Sequence, residues 1–355
     1  MANSSLGKAK IEKNDEFYTR YEDIQAELNH YEEHFKGKTV LCNCDDPFES
    51  NFCKFFLKNF NYLKLKRLIC TSYISSPVIG SQMTIFDLLG EPVQKGNGYV
   101  MDIKEVPMAN GRGVSDDDIE SLLTSKKCGV KKLKGNGDFR SAECVEYLNM
   151  ADIVVTNPPF SLFREYINFL VSHKKKFLII GNQNALHYRD VFPLVQNNIV
   201  WLGYNHVKEF YKPDGTTQKF GNIIWFTNLD IKKRHEDIDL YKKYNSEDYP
   251  KYDNFNAINV DKVNEIPCDY YGYIGVPDGF IERYNPEQFE IIGRSGDTDW
   301  VFKKCPFFTP PSQDRIDFYK CYNKTWRLQN VYLLDKNKLP VLVYSRIFIK
   351  RRSKG

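Results

Sequence analysis

The segment Ala151–Phe160, ADIVVTNPPF, constrains the fold more than any other part of the sequence. Its apolar run IVV is rich in β-branched residues, which predicts a strand buried on both faces. The run ends at Asn157-Pro158-Pro159, and proline cannot continue a central strand because it donates no N–H. In open α/β sheets, ligands bind just beyond the carboxyl ends of such strands. The segment therefore predicts an α/β protein with a functional turn at Asn157.

The elements around this segment alternate between strands and helices, which favours a parallel sheet with crossover helices. Predicted strands cover 38–43, 67–73, 152–156, 177–181, 199–202 and 222–227. Predicted helices cover 15–35 (after an initial turn), 49–59, 143–148 and 162–172. Between 75 and 137 the alternation breaks, and we interpret this stretch as an insertion. There, Met83–Leu89 and Tyr99–Val106 flank a Gly-Asn-Gly turn as in a hairpin, and Ser115 begins a helix.

The pattern changes again near residue 230, where we predict a domain boundary. Residues 1–14 form a polar tail, 15–230 the first domain, and 231–355 a region of short strand-like runs separated by Pro, Gly and Asn. The chain of 355 residues is long enough for two domains. It has neither a signal-peptide pattern nor an apolar run approaching about 20 residues. Its nine cysteines are scattered and odd in number. We therefore expect a cytoplasmic protein with reduced thiols.

The charge distribution is uneven along the chain. The net charge is +4, but residues 301–355 contain thirteen Lys and Arg against three Asp, or 13 − 3 = +10. A neutral-to-acidic body joined to a basic segment is typical of proteins that bind a polyanion. A solvated tail explains Lys350 to Lys354 equally well, but it explains the interleaved cations upstream less well. The candidate nucleic-acid contacts are Arg315, Lys320, Lys324, Arg327, Arg346, Lys350, Arg351 and Arg352.

The residues of the turn at Asn157 are suited to activating an exocyclic amine. The exocyclic amine of adenine is a poor nucleophile because its lone pair is delocalised into the ring. Two acceptors, the Asn157 side-chain oxygen and the Pro158 carbonyl, can bond the two amine protons and draw the nitrogen toward tetrahedral geometry. Proline holds that carbonyl on a stiff backbone, and Phe160 can stack on the base. The alternative is that Asn-Pro is simply a turn after a strand.

Several motifs, in this order, resemble the EcoRI-type adenine-specific modification methylases, with the motif order of γ-type enzymes. They are Asp15-Glu16-Phe17-Tyr18-Thr19, Cys42 to Pro47, Gly137 to Ser141, Asn157 to Arg164, and Tyr284 to Gly293. The resemblance covers Lys13 to nearly the C-terminus. It implies a Rossmann-like S-adenosylmethionine-dependent methyltransferase sheet with an insertion and a C-terminal target-recognition region.

The resemblance also implies roles for cofactor-binding residues. Tyr18 and Thr19 would contact the methionine end of S-adenosylmethionine, and Asp45 or Asp46 its ammonium group. Asp138 and Phe139 would bond the adenine amine and stack on its ring, with Asn157 beside the cofactor. No acid follows the second strand for the ribose hydroxyls, so Tyr73 is a candidate for the adenine or ribose pocket. The alternatives are an aromatic anchor at Phe17-Tyr18, a helix cap by Asp45 or Asp46, a plain turn at Asp138, and a core tyrosine at Tyr73.

The function expected from these features is N6-methylation of an adenine flipped out of double-stranded DNA. The enzyme would belong to a restriction-modification system, as a monomer whose cognate endonuclease acts separately. No metal is expected. Two alternatives stay open: a methyltransferase of another planar nitrogen, in RNA or on a protein glutamine, and a non-catalytic DNA-binding protein on this fold.

Overall fold

The computed structural model describes residues 17–44, 50–73, 98–107, 114–124, 129–212, 215–322 and 327–352. The chain divides into two compact units. The first contains the described residues up to Phe192 together with Leu202–Leu229. The second contains Pro193–Trp201 and the described residues from Asp230 onward.

The first unit is built on a nine-stranded sheet within the described residues. Its strands are β1 (Tyr18–Thr19), β2 (Thr39–Cys42), β3 (Arg67–Thr71), β4 (Tyr99–Ile103), β5 (Lys131–Lys132), β6 (Ile153–Thr156), β7 (Lys176–Asn182), β8 (Trp201–Tyr211) and β9 (Thr217–Thr227). They lie side by side in the order β1-β8-β9-β7-β6-β2-β3-β4-β5.

The centre of this sheet is parallel. β2 pairs in parallel with both β3 and β6, and β6 pairs in parallel with β7. Every residue of β2 and β6 is buried, as expected for strands covered on both faces. β9 pairs antiparallel with β7, and β4 antiparallel with β3. The architecture is therefore mixed α/β around one large mixed sheet.

Helices connect the parallel strands, and two of them begin at a serine whose hydroxyl accepts a backbone N–H. Ser50 Oγ accepts from Phe52 N at 3.1 Å, and Ser141 Oγ accepts from Cys144 N at 3.2 Å. Such caps satisfy donors that have no partner within the helix. The helices of this unit are α1 (Tyr21–Leu28), α2 (Glu32–Phe35), α3 (Asn51–Lys58), α4 (Asp116–Thr124), α5 (Ala142–Met150) and α6 (Phe163–Ser172), with α7 (Phe192–Gln196) at the division between the units.

The predicted insertion contributes to the sheet. β4 pairs with β3 and then with β5, so this stretch extends the sheet at one edge. The strand at Tyr99 and the helix after Ser115 form as predicted, and the Ser115 hydroxyl accepts from Asp118 N at 3.1 Å. The proposed partner strand Met83–Leu89 lies outside the described residues.

The strand predicted at 199–202 is longer in the structure, because β8 runs on to Tyr211. β8 is fixed to α1 by Glu27, whose buried carboxylate accepts from Tyr204 N at 2.9 Å and from Asn205 N at 2.8 Å. It also accepts from the Tyr31 hydroxyl at 2.9 Å. These bonds offset part of the cost of burying a carboxylate, yet burial still raises the pKa of Glu27.

The second unit contains a four-stranded sheet in the order β10-β11-β15-β12 and a separate two-stranded sheet. Its core is an aromatic cluster in which Trp300, Phe307 and Phe348 pack together. Gln196 joins Pro193–Trp201 to this unit by donating to the Ile292 carbonyl at 2.7 Å. The elements are β10 (Ile258–Asn259), β11 (Ile274–Val276), β12 (Phe289–Arg294), β13 (Val331–Leu334), β14 (Pro340–Val343), β15 (Ile347–Arg351), α8 (Thr298–Lys303) and α9 (Gln313–Tyr322).

Two further expectations concern cysteines and membranes. The cysteines in the part of the chain that the structure describes are not joined by disulfides, and Cys42, Cys53 and Cys70 are buried together. Among the described residues, no helix is both long and apolar enough to cross a bilayer.

Candidate active site

The carboxyl ends of β2 and β6 lie side by side, because Leu41 is in register with Val154. The chain proceeds from β2 to β3 on one side and returns to β6 on the other side, so the strand order reverses between β2 and β6. Ligands of open α/β sheets bind in the crevice at such a switch point. An asparagine follows each strand there, Asn43 after β2 and Asn157 after β6.

Asn157 is held in one orientation. Its side-chain Nδ2 donates to the Phe17 carbonyl at 2.7 Å. Its Oδ1 atom is buried and has no hydrogen-bond partner within the described residues. The following turn is closed by Leu162 N, which donates to the Pro159 carbonyl at 2.9 Å. A buried acceptor without a donor is costly in a protein interior. The geometry thus leaves one fixed acceptor ready for a donor such as an amine.

Four phenylalanine rings surround this turn. Phe160 stacks on Phe17, with ring centroids 5.9 Å apart and an interplanar angle of 22°. Phe220 lies edge-on to Phe160, at 5.8 Å and 86°, and Phe210 lies edge-on to both. Stacked and edge-on contacts are the arrangements that aromatic rings prefer. The site therefore offers an aromatic environment for a flat ring beside the Asn157 acceptor.

The N-terminal motif reaches the same region through β1. Tyr18 pairs with Tyr211 and Thr19 with Phe210 on β8, which places β1 at the edge of the sheet beside the phenylalanine cluster. The Thr19 carbonyl accepts from Asn51 Nδ2 at 2.8 Å, which ties β1 to the start of α3. The Thr19 hydroxyl is buried without a hydrogen-bond partner in the described chain. Thr19 thus lies two residues from Phe17, whose carbonyl accepts from Asn157.

The loop before α5 packs against the end of β3. Gly137 has φ +81°, and a Cβ there would lie 2.0 Å from the Ser72 carbonyl oxygen and 3.2 Å from Tyr73 Cα. Only glycine permits both this conformation and this close approach. Gly137, the residue before Asp138, thus lies against the backbone of Tyr73. Tyr73 is 43% exposed and is therefore not a core tyrosine.

Asp138 and Phe139 differ in what they can offer a ligand. Arg140 bonds both carboxylate oxygens of Asp138, at 2.9 and 2.6 Å, and lowers the pKa of that carboxyl. Asp138 is thus held ionised and partly exposed. The Phe139 ring is buried edge-on against Tyr166 and Phe169, at 4.9 and 5.2 Å. This is the environment of a packed core ring. Phe139 is therefore less suited to stack on the adenine ring of the cofactor than Asp138 is to bond the adenine amine.

Three residues of this region were not singled out by sequence reasoning. Asn43 accepts a short hydrogen bond from the Tyr166 hydroxyl, which joins β2 to α6. The Thr71 hydroxyl, at the end of β3, is buried without a hydrogen-bond partner among the described residues. Asn43 lies at the end of the strand predicted at 38–43, so position alone could have identified it. Thr71 ends β3, which stops two residues before the end of the strand predicted at 67–73. Asp45 and Asp46 lie outside the described residues.

The predicted nucleic-acid contacts of the second unit divide by exposure. Lys320, Arg327, Lys350 and Arg352 are exposed. Arg315 is partly buried and bonds Asp253 at 3.0 and 3.1 Å, and Arg351 donates to the Cys268 carbonyl. Lys324 lies outside the described residues.

Arg346 requires a correction. Its side chain is buried, bonds Asn259 Oδ1 at 3.1 Å and forms an ion pair with Asp261 at 2.8 Å. A buried, paired guanidinium is a structural group, because binding a phosphate would require it to break both interactions and leave the protein interior. Arg346 is therefore not retained as a nucleic-acid contact.

Comparison with known proteins shows the family of the chain. A family model described as adenine-specific methyltransferase EcoRI matches residues 5–352. The chain is 43% identical over 330 residues to Type II methyltransferase M.EcoRI of Escherichia coli, which covers 86% of this chain and 95% of the relative. It is 38% identical over 308 residues to Type II methyltransferase M.MpnI of Mycoplasma pneumoniae, with 81% and 84% covered. No solved structure matches the chain. The resemblance seen in the motifs is confirmed, and the chain belongs to the EcoRI family of adenine-specific methyltransferases.

Proposed function

We propose that the protein transfers a methyl group from S-adenosylmethionine to N6 of an adenine flipped out of duplex DNA. It would do so as the modification enzyme of a restriction-modification system, acting as a monomer and separately from the endonuclease. Family membership and the Type II names of its relatives support the substrate and the setting. The observation that carries the chemistry is the buried Asn157 Oδ1, which has no hydrogen-bond partner among the described residues and whose amide is oriented by the Phe17 carbonyl.

The proposed reaction needs a nucleophilic amine. Asn157 Oδ1 accepts one N6 proton and the Pro158 carbonyl accepts the other, so that the nitrogen lone pair is released from the ring. Because Asn157 Nδ2 is already bonded to Phe17, the acceptor is positioned before the base arrives and little reorganisation is needed. The cofactor supplies an activated methyl group on a sulfonium, so positioning accounts for much of the catalysis.

The flipped base needs a surface that offsets the cost of unstacking, which is a few kcal/mol. Phe160 provides a ring face at the catalytic turn, and Phe220 lies edge-on beside it. Stacking of a base on an aromatic side chain contributes about 1–3 kcal/mol. This is enough to hold the adenine ring flat while its amine meets the Asn157 oxygen.

The residues around the strand ends fit the cofactor. The buried hydroxyls of Thr19 and Thr71 need partners, and the cofactor carries a carboxylate and ribose hydroxyls that can supply them. Tyr18 precedes Thr19 on β1, and Tyr73 lies against Gly137, the residue before Asp138. The ionised Asp138 would accept from the adenine amine of the cofactor. Phe139 would support the loop, and Asp45 and Asp46 keep their predicted role near the ammonium group.

The strand order supports a Rossmann-like methyltransferase sheet. Four parallel strands, β3-β2-β6-β7, are followed by the antiparallel β9, and the crevice lies at the switch between β2 and β6. We propose that the second unit is the target-recognition region. Exposed Lys320, Arg327, Lys350 and Arg352 would contact phosphates there, with lesser contributions from Arg315 and Arg351.

The proposal can be tested by incubating the protein and labelled S-adenosylmethionine with duplex DNA, RNA or bulk cell protein in parallel reactions. Digestion of the DNA to nucleosides followed by mass spectrometry should reveal N6-methyldeoxyadenosine. Label only in RNA or only in protein would overturn the assigned substrate. Label in cytosine of the DNA would overturn the assigned position.

A further inference from the structure

We infer that the two-stranded sheet of the second unit, β13 and β14 with the residues up to Tyr344, is a ribbon that enters a groove of the duplex DNA substrate. The inference deepens the proposed function and depends on it. Within the described residues, these two strands pair only with each other, with Val331 opposite Val343 and Leu334 opposite Pro340.

The base of the ribbon is firmly anchored. Val331 is fully buried in the aromatic cluster of Trp300, Phe307 and Phe348. Tyr332 stacks on Tyr319 with ring centroids 4.7 Å apart and an interplanar angle of 13°. The ribbon is therefore a fixed projection of the second unit.

The turn at the other end is also ordered. The Asp335 carboxylate accepts from the backbone N–H of Asn337 at 2.8 Å and of Leu339 at 2.7 Å. Asp335 N donates to the Leu339 carbonyl at 2.9 Å, which closes the turn. A tip held in this way can be inserted into a groove at little entropic cost.

The surface of the ribbon combines apolar and basic side chains. Leu334 (40% exposed) and Leu342 (36%) lie on one face of the ribbon, and Val341 (48%) lies on the other face, because paired residues share a face and successive residues alternate. Tyr344, which follows the last residue of β14, is 89% exposed. Lys336 and Lys338 are exposed at the turn, while the Asp335 carboxylate is occupied by the backbone of that turn. Exposed apolar groups beside one another mark interaction surfaces. The lysines at the turn favour a polyanionic partner over an apolar one. DNA, the substrate of this enzyme family, is such a polyanion.

The shape of the ribbon agrees with this partner. The major groove of B-DNA is about 12 Å wide and admits a two-stranded β-ribbon. Apolar side chains in a groove contact thymine methyl groups or wedge between base steps. Tyr344 is well suited to stack on a base, and the two lysines to bond flanking phosphates. An enzyme that flips a base needs such contacts to hold the distorted duplex.

The test uses the full chain and a duplex that the parent protein methylates, identified by mapping N6-methyladenine in plasmid DNA. Tyr344→Ala should raise the Kd for this duplex about tenfold or more. The double variant Lys336→Glu, Lys338→Glu should reduce the slope of log K against log salt by about two. Cofactor affinity and the thermal unfolding midpoint should match the parent, because these side chains are exposed.

Matched controls place the same changes on the first unit. Tyr62→Ala removes another exposed aromatic ring, and Lys36→Glu, Lys66→Glu reverses two other exposed lysines. These variants should bind the duplex with the Kd and the salt dependence of the parent. The inference is overturned if the ribbon variants bind and methylate the duplex as the parent does. It is also overturned if Tyr344→Ala only converts a dimer to a monomer, which would make the ribbon a contact between copies. A parent that methylates no DNA would instead refute the proposed function.

Discussion

The side-chain amide of Asn157 donates a 2.7 Å hydrogen bond to the backbone carbonyl of Phe17, 140 residues earlier in the chain. The same two segments also stack Phe160 on the Phe17 ring. The N-terminal motif therefore lies against the turn at Asn157, where we propose that the methyl transfer takes place. Because the bond uses Nδ2, it leaves Oδ1 as the atom that can accept from a substrate.

We expect Phe160→Ala to lower kcat/KM for DNA about tenfold to a hundredfold, because the base loses an aromatic face worth about 1–3 kcal/mol. Phe160→Tyr should retain most of the activity, since it keeps the ring. Steady-state kinetics with duplex DNA, beside calorimetric titration of the cofactor, provide the measurement. Equal losses in the two variants would contradict a stacking role.

Gly137→Ala should weaken cofactor binding and destabilise the protein. The new Cβ would lie 2.0 Å from the Ser72 carbonyl oxygen, and the residue would be held at φ +81°. Strain of this kind costs about 1–3 kcal/mol, and the clash adds to it. Gly135→Ala is the matched control, because nothing lies within 4 Å of its added Cβ. Urea unfolding and cofactor titration should distinguish the two variants. Identical behaviour would show that the close approach is unimportant.

Glu27→Ala should destabilise the protein by about 3 kcal/mol or more, because the buried N–H groups of Tyr204 and Asn205 lose their acceptor. Equilibrium urea unfolding measures the loss. A change below about 0.5 kcal/mol, typical of surface substitutions, would contradict this account of β8.

The same carboxyl predicts a pH dependence. Burial raises the pKa of Glu27 above its ordinary value of 4.5. A raised folded-state pKa means that the stability Glu27 contributes is fully present below the unfolded pKa and is lost as pH rises through the folded pKa. The unfolding free energy of the parent, relative to that of Glu27→Gln, should therefore fall as the pH rises above the ordinary glutamate pKa of 4.5. A relative stability that rises over this range would contradict the sign.

The central elements were predictable because their signals are local. The apolar run before Asn157 and the helix that follows it are read from neighbouring residues. Asn157 and Thr19 could be assigned to one site because strand ends meet at a sheet edge and the family motifs are recognisable. Their meeting depends on the pairing of β1 with β8, which no local pattern indicates.

Long-range pairing explains what sequence reasoning missed. Arg346 counted as a free cation in the basic segment, but its partner Asp261 lies 85 residues away and removes it from the surface. Phe139 has the right neighbours in sequence, yet Tyr166 and Phe169 enclose its ring. Counting charges or matching a motif does not reveal which side chains the fold buries.

Asn157→Ala provides the most direct test of the account. With saturating cofactor and duplex DNA, single-turnover methyl transfer should slow about 10²–10³-fold or more, since the oriented acceptor is lost. Cofactor affinity, measured by calorimetry, should stay within about threefold of the parent. Asn149→Ala, at an exposed position of α5, should behave as the parent does. Parent-like methyl transfer by Asn157→Ala would contradict the proposed role of the Asn157 oxygen.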